Sequence, residues 1–346
     1  MPISGTDCSP KTIPRKHPMS HRDFRASRRM ALGGALALAA PGPARAAYPE
    51  RGIRLIVPYG GGGQTDIVSR VTADALQQRL GQPVLVDNRP GGAGNTAAEA
   101  VVRAPADGYT LMIATMGTNS GLNALLYRNL PYDWEKDFLP VGQFCSTAHA
   151  VVVHRSIPAE NFSELVGWIR ANPGKFNFAS AGVGASTHLL MEDIGAHLGL
   201  DMVHVPYRQS TQAMTDLLSG RIHARCMGLP EAETVRNVAS VRPLAITSAE
   251  RRDAWPGVPT VAESIPGFTG LAYFGITART GTPPEAVARI SAALNEALED
   301  PRVQAGYARV GADAAPRNTP EDFYRVTRAD AGRWGPLIRR LNLVAD

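Results

Sequence analysis

Residues 53–76 read IRLIV-PYGGGGQTD-IVSRVTADAL, and this stretch decides the fold. Residues 53–57 are predicted as a buried strand, 58–66 as a glycine-rich turn and 67–76 as an amphipathic helix. Glycine lets the backbone adopt positive φ and approach a ligand closely. The first N–H groups of a helix lack acceptors within it and carry partial positive charge. The order of strand, turn and helix therefore predicts a site for a carboxylate or phosphate group.

The same order recurs in the second half of the chain. Residues 176–180 are predicted as a strand, 181–188 (AGVGASTH) as a turn and 189–198 as a helix. Between the two units, a strand at 110–114 opens into a small polar loop that contains Thr118 and Asn119. Ligands bind at the carboxyl ends of parallel strands, so this loop is also predicted to line a site.

Strands and helices alternate along residues 47–346, which is typical of α/β architecture. This length suffices for two domains. We predict a discontinuous first lobe, 47–144 plus 275–346, and an inserted second lobe, 145–274. In this prediction two connections between the lobes form a hinge, and the ligand binds in the cleft.

The first 46 residues have the composition of an export signal. Adjacent arginines at 28–29 precede an eleven-residue apolar stretch, 30–40, which is too short to span a bilayer. An A-x-A sequence ends at Ala46 and fits a cleavage site. We therefore predict a periplasmic protein whose signal is cleaved near Ala46. A twin-arginine signal and a general secretory signal both fit, and either Met1 or Met19 is the start.

The basic character of the whole chain resides in this leader. It holds eight of the 36 basic and two of the 31 acidic residues, which leaves 28 basic and 29 acidic residues in the mature chain. Neither nucleic acid nor an anionic membrane surface is therefore predicted as a partner. Cys145 and Cys226 either pair in an oxidising compartment or remain buried thiols. No Cys/His cluster in the sequence indicates a metal site.

The sequence carries no motif of an enzyme class that the glycine turns resemble. No Walker A Lys-Ser/Thr follows the glycines, and neither a G-x-S-x-G elbow nor an H-E-x-x-H zinc motif occurs. We therefore predict that the protein is not an enzyme and uses no cofactor.

A series of short strings occurs in order along the mature chain. It includes Val57-Pro58-Tyr59, Ala106-Asp107-Gly108-Tyr109-Thr110-Leu111, His204-Val205-Pro206-Tyr207 and Asp216-Leu217-Leu218-Ser219-Gly220. The ordered series resembles the Bug-type periplasmic solute receptors of tripartite tricarboxylate transporters. Similar receptors often place an acidic residue after the strand at 222–226, where this chain has Met227-Gly228-Leu229-Pro230.

The resemblance implies a type II periplasmic-binding-protein-like fold, with two α/β lobes joined by a two-strand hinge around a central cleft. It implies capture of a small organic acid or amino-acid-like ligand and delivery to integral membrane transporter subunits. A periplasmic sensor that presents its closed form to a signalling kinase is the alternative. An enzyme on the same scaffold is a third possibility. We expect a monomer.

In similar receptors, main-chain N–H groups at the glycine-rich turns hold a ligand carboxylate. Helix capping is the competing role for Thr65 and Asp66, and a cap or core position is the competing role for His188. For the serine and threonine residues, the competing role is hydrogen bonding within the turn alone. For Tyr59, the competing role is a position in the core. The predicted ligand-binding residues are Tyr59, Gly61, Gly62, Gln64, Thr65, Asp66, Thr118, Asn119, Ser180, Gly182, Gly184, Ser186, Thr187, His188 and Tyr207.

Overall fold

The computed structural model describes residues 48–116 and 121–345. Apart from the leader, the chain forms one compact unit, Ala47–Asp346. The predicted export signal lies outside the described residues, and so do Thr118 and Asn119.

Strands and helices alternate through the described residues, as the sequence predicts. The strands are β1 (Ile53–Val57), β2 (Val84–Asn88), β3 (Thr110–Thr115), β4 (Phe138–His154), β5 (Phe176–Ser180), β6 (Met202–Pro206), β7 (Ala224–Gly228), β8 (Val241–Ile246), β9 (Leu271–Arg279) and β10 (Asp313–Ala314). The helices are α1 (Gln64–Leu80), α2 (Asn95–Val102), α3 (Asn123–Leu126), α4 (Trp134–Asp137), α5 (Phe162–Ala171), α6 (Ser186–Leu198), α7 (Ser210–Leu218), α8 (Leu229–Ala232), α9 (Pro284–Leu298), α10 (Pro301–Arg309) and α11 (Pro320–Arg340). Short 3₁₀ turns lie at Gly92–Gly94 and Val261–Glu263.

The strands form a mixed sheet in the order β2-β1-β3-β9-β4-β7-β5-β6, and β8 and β10 also pair with β4. β1 is parallel to β2 and β3, and β5 is parallel to β6 and β7. β9 runs antiparallel to both β3 and β4. Each glycine turn therefore leaves the carboxyl end of a strand that has parallel partners on both sides, where α/β proteins bind ligands.

The long strand β4 corrects one sequence prediction. The apolar patterns at 141–144 and 150–153 of the sequence predict two separate strands, but a single 17-residue strand runs from Phe138 to His154. It pairs with β9 up to Ala148 and with β7 from His149 onward. One continuous strand thus serves two sets of partners. The lobe boundaries that the sequence suggests stay a prediction.

Helix α1 is fixed to the sheet by apolar residues on one face, at separations of four and eight positions. Val68, Leu76 and Leu80 are buried in the same cluster as Leu55 and Ile290. Burying a side chain of this size contributes about 1.5–3 kcal/mol. This packing holds the start of α1 at the end of β1.

The two helices that follow the glycine turns begin three residues earlier than predicted. α1 begins at Gln64 after the N-cap Gly63, and α6 begins at Ser186 after the N-cap Ala185. Both N-cap residues have extended backbone angles. Residues 64–66 and 186–188 therefore form the first helical turns, whose N–H groups have no acceptor within the helix.

Both cysteines of the described region are free and buried. Cys145 lies opposite Phe274 on β9, whereas Cys226 lies opposite Val151 on β4. Burial raises the pKa of the Cys226 thiol to about 12 and raises that of Cys145 as well. The structure therefore supports buried, unreactive thiols rather than a disulfide between Cys145 and Cys226. Among the described helices, none has the length and apolar character that a bilayer crossing requires.

Candidate functional site

The starts of α1 and α6 border one cavity. Its volume is about 30 Å³, which is room for one or two water molecules. The first strand–turn–helix unit, β1 to α1, and the second, β5 to α6, contribute most of the wall, and β7, α7 and α8 complete it. The lining residues are Tyr59, Gly60, Gly63, Gln64, Thr65, Ser180, Ala181, Ala185, Ser186, Thr187, Tyr207, Arg208, Ser210, Arg225 and Glu231.

The first unit presents the N–H groups of Gln64 and Thr65 at the cavity. The first intrahelical hydrogen bond of α1 runs from Ile67 N–H to Gly63 carbonyl. Gln64 and Thr65 N–H therefore have no acceptor within the described residues. Both residues are buried. Unpaired amides at a buried helix start favour a negatively charged partner.

Asp66 fastens the first turn and does not line the cavity. Its Oδ2 accepts a hydrogen bond from Gly62 N–H at 3.0 Å, and Arg70 binds both carboxylate oxygens at 2.9 and 3.1 Å. Burial alone would raise the Asp66 pKa, but the hydrogen bonds from Arg70 and Gly62 outweigh it and hold the pKa below its usual value. The Gly62 N–H is consequently already paired. The observed contacts of Asp66 are therefore those of its competing role, a residue that caps the helix start.

The second unit presents the N–H groups of Ser186 and Thr187. His188 and Leu189 N–H both bond to Ala185 carbonyl, so the two amides before them lack acceptors within the described residues. Side chains hold the turn before this helix. Thr187 Oγ1 accepts from Ala181 N–H at 3.0 Å, and Ser180 Oγ accepts from Gly182 N–H at 3.0 Å.

His188 supports this turn from behind. Its Nδ1 accepts from Gly184 N–H at 3.1 Å, and its ring stacks on His204 with centroids 3.7 Å apart. His204 Nε2 lies 2.6 Å from Ser180 Oγ. Burial, assisted by the neighbouring His188 ring, lowers the pKa of His204 to about 3. Both rings therefore act on the turn rather than at the cavity surface.

The Gln64 side chain joins the two units. Its Nε2 donates toward Ser186 Oγ at 3.3 Å and lies 3.3 Å from His149 Nε2. His149 and Ser186 are themselves 3.1 Å apart. Burial lowers the His149 pKa to about 4, which keeps the imidazole neutral. Gln64 Oε1 is buried against Gly228 without a hydrogen-bond partner among the described residues.

A buried ion pair forms the far wall. Arg225 Nη1 donates to Glu231 Oε1 at 2.8 Å, and the side chains are only 1% and 5% exposed. Ser210 Oγ donates to the same carboxylate oxygen at 2.7 Å and accepts from Arg225 Nη2 at 3.0 Å. This wall therefore contains charge but no net charge, so local attraction for an anion comes from the helix amides and from Arg208, which also lines the cavity.

Tyr207 lines the cavity, and its hydroxyl donates to Asp216 at 2.7 Å. Burial and this hydrogen bond to a carboxylate raise the Tyr207 pKa to about 12. The Tyr59 carbonyl accepts from Asn88 Nδ2 at 3.0 Å. Each tyrosine therefore lines the cavity and is held by a hydrogen bond to a residue outside the lining, Asn88 or Asp216.

The structure brings part of the predicted set together. Predicted residues that line the cavity are Tyr59, Gln64, Thr65, Ser180, Ser186, Thr187 and Tyr207. Predicted residues that shape the turns without lining it are Gly61, Gly62, Asp66, Gly182, Gly184 and His188. Thr118 and Asn119 lie outside the described residues. Whether any of them touches a ligand stays a prediction.

Besides Arg208, which follows β6, three polar lining residues lie outside the predicted set: Ser210, Arg225 and Glu231. They come from α7, β7 and α8, and no glycine turn or spacing motif marks them. One signal was present, since an arginine inside the apolar strand 222–227 is unusual and requires a buried partner. Within the described residues no cluster of three or more His, Cys, Asp or Glu side chains is arranged to bind a metal ion.

The chain matches the family model described as tripartite tricarboxylate transporter family receptor over residues 68–343. It is 33% identical over 294 residues to protein BugT of Bordetella pertussis, which covers 84% of this chain and 90% of BugT. The structure of Rpa4515 from Rhodopseudomonas palustris, solved with adipate, is 31% identical with a TM-score of 0.81. That likeness covers 84% of this chain and 97% of the other.

MatC (Rpa3494) from Rhodopseudomonas palustris, solved with bound malate, is 28% identical with a TM-score of 0.78. This match covers 84% of the present chain and 100% of the MatC chain. These similarities confirm the periplasmic-binding-protein fold and the Bug-type resemblance. They extend over nearly all of the predicted mature chain.

Proposed function

Since the chain belongs to the tripartite tricarboxylate transporter receptor family, we propose that it captures a small carboxylate-bearing solute in the cavity between its two glycine turns. The carboxylate accepts hydrogen bonds from the main-chain N–H groups at the starts of α1 and α6. The loaded protein then delivers the solute to the membrane subunits of the transporter. It acts in the periplasm, after removal of the leader near Ala46.

The observation that carries this proposal is that four helix-start amides, none with an acceptor among the described residues, belong to residues that line one cavity. Gln64 and Thr65 N–H come from one helix start, and Ser186 and Thr187 N–H come from the other. Each hydrogen bond to a charged group contributes about 1.5–3 kcal/mol, and a micromolar complex requires about 8 kcal/mol. A few such bonds from both units meet that requirement after ordering costs.

The size of the cavity implies that the ligand enters an opened form. A volume of about 30 Å³ does not hold a dicarboxylate. Gln64 bridges to His149 and Ser186 across the cavity and thus stabilises a closed arrangement. Separation of α1 from β7 and α6, with β4 and β9 as the predicted hinge, widens the site.

The solutes bound to relatives indicate the chemical class to test first. Rpa4515 is solved with adipate and MatC with malate, and both are dicarboxylates. We propose an aliphatic acid of this size for the present chain. Mass spectrometry of the small molecules that copurify with the protein identifies the natural solute.

The main-chain role is tested with a proline that removes a single N–H. Ser186 is the first residue of α6, and its N-cap Ala185 has the extended backbone that a following proline needs. Ser186→Pro removes the N–H and the hydroxyl, whereas Ser186→Ala removes only the hydroxyl. In calorimetric titrations with a carboxylate panel, we expect the proline variant to bind about 10-fold or more weakly than the alanine variant.

The same comparison applies at the other helix start. Gln64→Pro and Gln64→Ala form the matched pair, because the N-cap Gly63 is also extended. Equal affinities within both pairs would show that these amides do not bind the ligand. If no acid in the panel binds the unmodified protein, the proposed function itself is wrong.

A further inference from the structure

The buried ion pair at the far wall of the cavity is a feature that the amide site does not explain. Arg225 lies on β7 and Glu231 on α8, and both line the same cavity as the helix starts. Ser210, the first residue of α7, bridges them through its hydroxyl. A Cβ built on Gly63 would lie 3.1 Å from Ser210 Oγ. Ser210 therefore packs against the first glycine turn and places the pair next to it.

Burying an ion pair is costly unless its hydrogen bonds are satisfied. Glu231 Oε1 is saturated, since it accepts from both Ser210 and Arg225. Glu231 Oε2 accepts no hydrogen bond from the described residues. Arg225 Nε is buried and has no acceptor among the described residues. The pair thus retains one unused acceptor and one unused donor in residues that line the cavity.

We propose that the Arg225–Glu231 pair is the specificity determinant of the site and selects hydroxycarboxylates over unhydroxylated acids. The inference rests on the proposed function, since it concerns the part of the ligand next to the bound carboxylate. A ligand hydroxyl donates its proton to Glu231 Oε2, and its oxygen accepts from Arg225 when the side chains adjust around it.

The chemistry of other ligand groups explains the preference. A methylene group in this position leaves Glu231 Oε2 without a donor, although Oε1 keeps its hydrogen bonds from Ser210 and Arg225. A second carboxylate meets the like charge of Glu231. An ammonium group satisfies Glu231 but has no lone pair for Arg225 and meets its positive charge. Among these groups, only a hydroxyl both donates and accepts.

The test compares acids that differ only by a hydroxyl group. Malate is paired with succinate, 2-hydroxyadipate with adipate, and mandelate with phenylacetate, each titrated calorimetrically into the mature protein. For the pair whose size fits the site, we expect the hydroxy acid to bind about 10-fold or more tightly. Aspartate is titrated beside malate, and we expect it to bind more weakly.

Variants connect the preference to the pair. In Glu231→Gln, a side-chain amide replaces the carboxylate, and we expect the hydroxy-to-plain affinity ratio to fall toward one while plain acids still bind. Because this variant leaves Arg225 without its counter-charge, the double variant Arg225→Met with Glu231→Met provides a second test with the same expected loss of ratio. Glu233→Gln is the control, since Glu233 pairs with Arg236 and does not line the cavity.

The outcomes separate this inference from the proposed function. If acids bind but hydroxylation has no effect, or if both variants keep the ratio of the unmodified protein, the pair does not determine specificity. Tighter binding of aspartate than of malate likewise contradicts it. If no acid binds at all, the proposed function fails, and the inference fails with it.

Discussion

The two strand–turn–helix units use different side chains to hold the glycine turn before each helix. In the first unit a carboxylate holds the turn, since Asp66 accepts from Gly62 N–H and is itself paired with Arg70. In the second unit neutral groups do so: the Ser180 and Thr187 hydroxyls and the His188 imidazole. Both arrangements leave the next helix amides free for an anion.

This difference separates the two units in their response to acid. Asp66 has a lowered pKa, so its contribution is present above its usual pKa of 3.8 and is lost only below it. His204 has a folded pKa of about 3 against 6.5 when unfolded, so its contribution begins to fall in much milder acid. Of the two glycine turns, mild acid therefore acts on the second, through His204 beside Ser180, and not on the first.

The largest expected effect is a loss of stability between pH 6.5 and about 4.5. The folded pKa values of His149, about 4, and His204, about 3, lie below the unfolded value of 6.5. The unfolded chain therefore binds more protons in this window, and stability falls as the pH falls. Urea denaturation should show a decrease of about 2 kcal/mol for each of these histidines.

The corresponding variant is His204→Gln, which retains a polar partner for Ser180 but does not titrate in this range. We expect it to remove roughly half of the pH dependence. Asp66→Asn is the control and should leave the slope above pH 5 about unchanged. An identical slope in His204→Gln would mean that the second unit is not the mild-acid element.

The next effect concerns the contact that joins the units. A Cβ on Gly228 would lie 1.6 Å from Gln64 Oε1 and 2.8 Å from Gln64 Cβ. Gly228 has φ −59° and ψ 149°, which alanine accepts, so the cost of Gly228→Ala arises from the overlap with Gln64. We expect a loss of about 1–3 kcal/mol in urea denaturation.

A double-mutant cycle with Gln64→Gly checks the cause, because removing the Gln64 side chain should cancel most of the cost. Gly167→Ala is the control, since a Cβ at that helical position meets no atom within 4 Å. If Gly228→Ala lowers the free energy of unfolding equally with and without the Gln64 side chain, the Gly228–Gln64 contact does not join the two units.

The smallest expected effect compares the charged hydrogen-bond acceptor of the first turn, Asp66, with a neutral acceptor of the second turn, Thr187. Asp66→Asn should cost about 2 kcal/mol and Thr187→Val about 1 kcal/mol, because hydrogen bonds to charged groups are stronger. Arg70 is 57% exposed, so its pairing with Asp66 is screened by salt. In urea denaturation, the Asp66→Asn cost should shrink in high salt and the Thr187→Val cost should not. The same salt response in both variants would contradict the contrast.

The sequence was most informative where local rules act alone. The strands at 53–57 and 176–180 lie where their patterns predict. Helix starts were less accurate, because Gln64 and Ser186 also suit a turn, and only the extended N-caps before them show where each helix begins. The break that the sequence suggested within β4 is absent, since pairing with successive partners keeps the strand extended.

The sequence by itself determined the family, the alternation of strands and helices, and the two glycine turns, because these depend on neighbouring residues and on ordered motifs. Only the tertiary structure decided that both helix starts meet at one cavity and that Gln64 reaches His149. It also decided that Arg225 and Glu231 form the opposite wall. Those contacts join residues that lie far apart in sequence or on separate elements, and pairing of strands and burial of side chains bring them together.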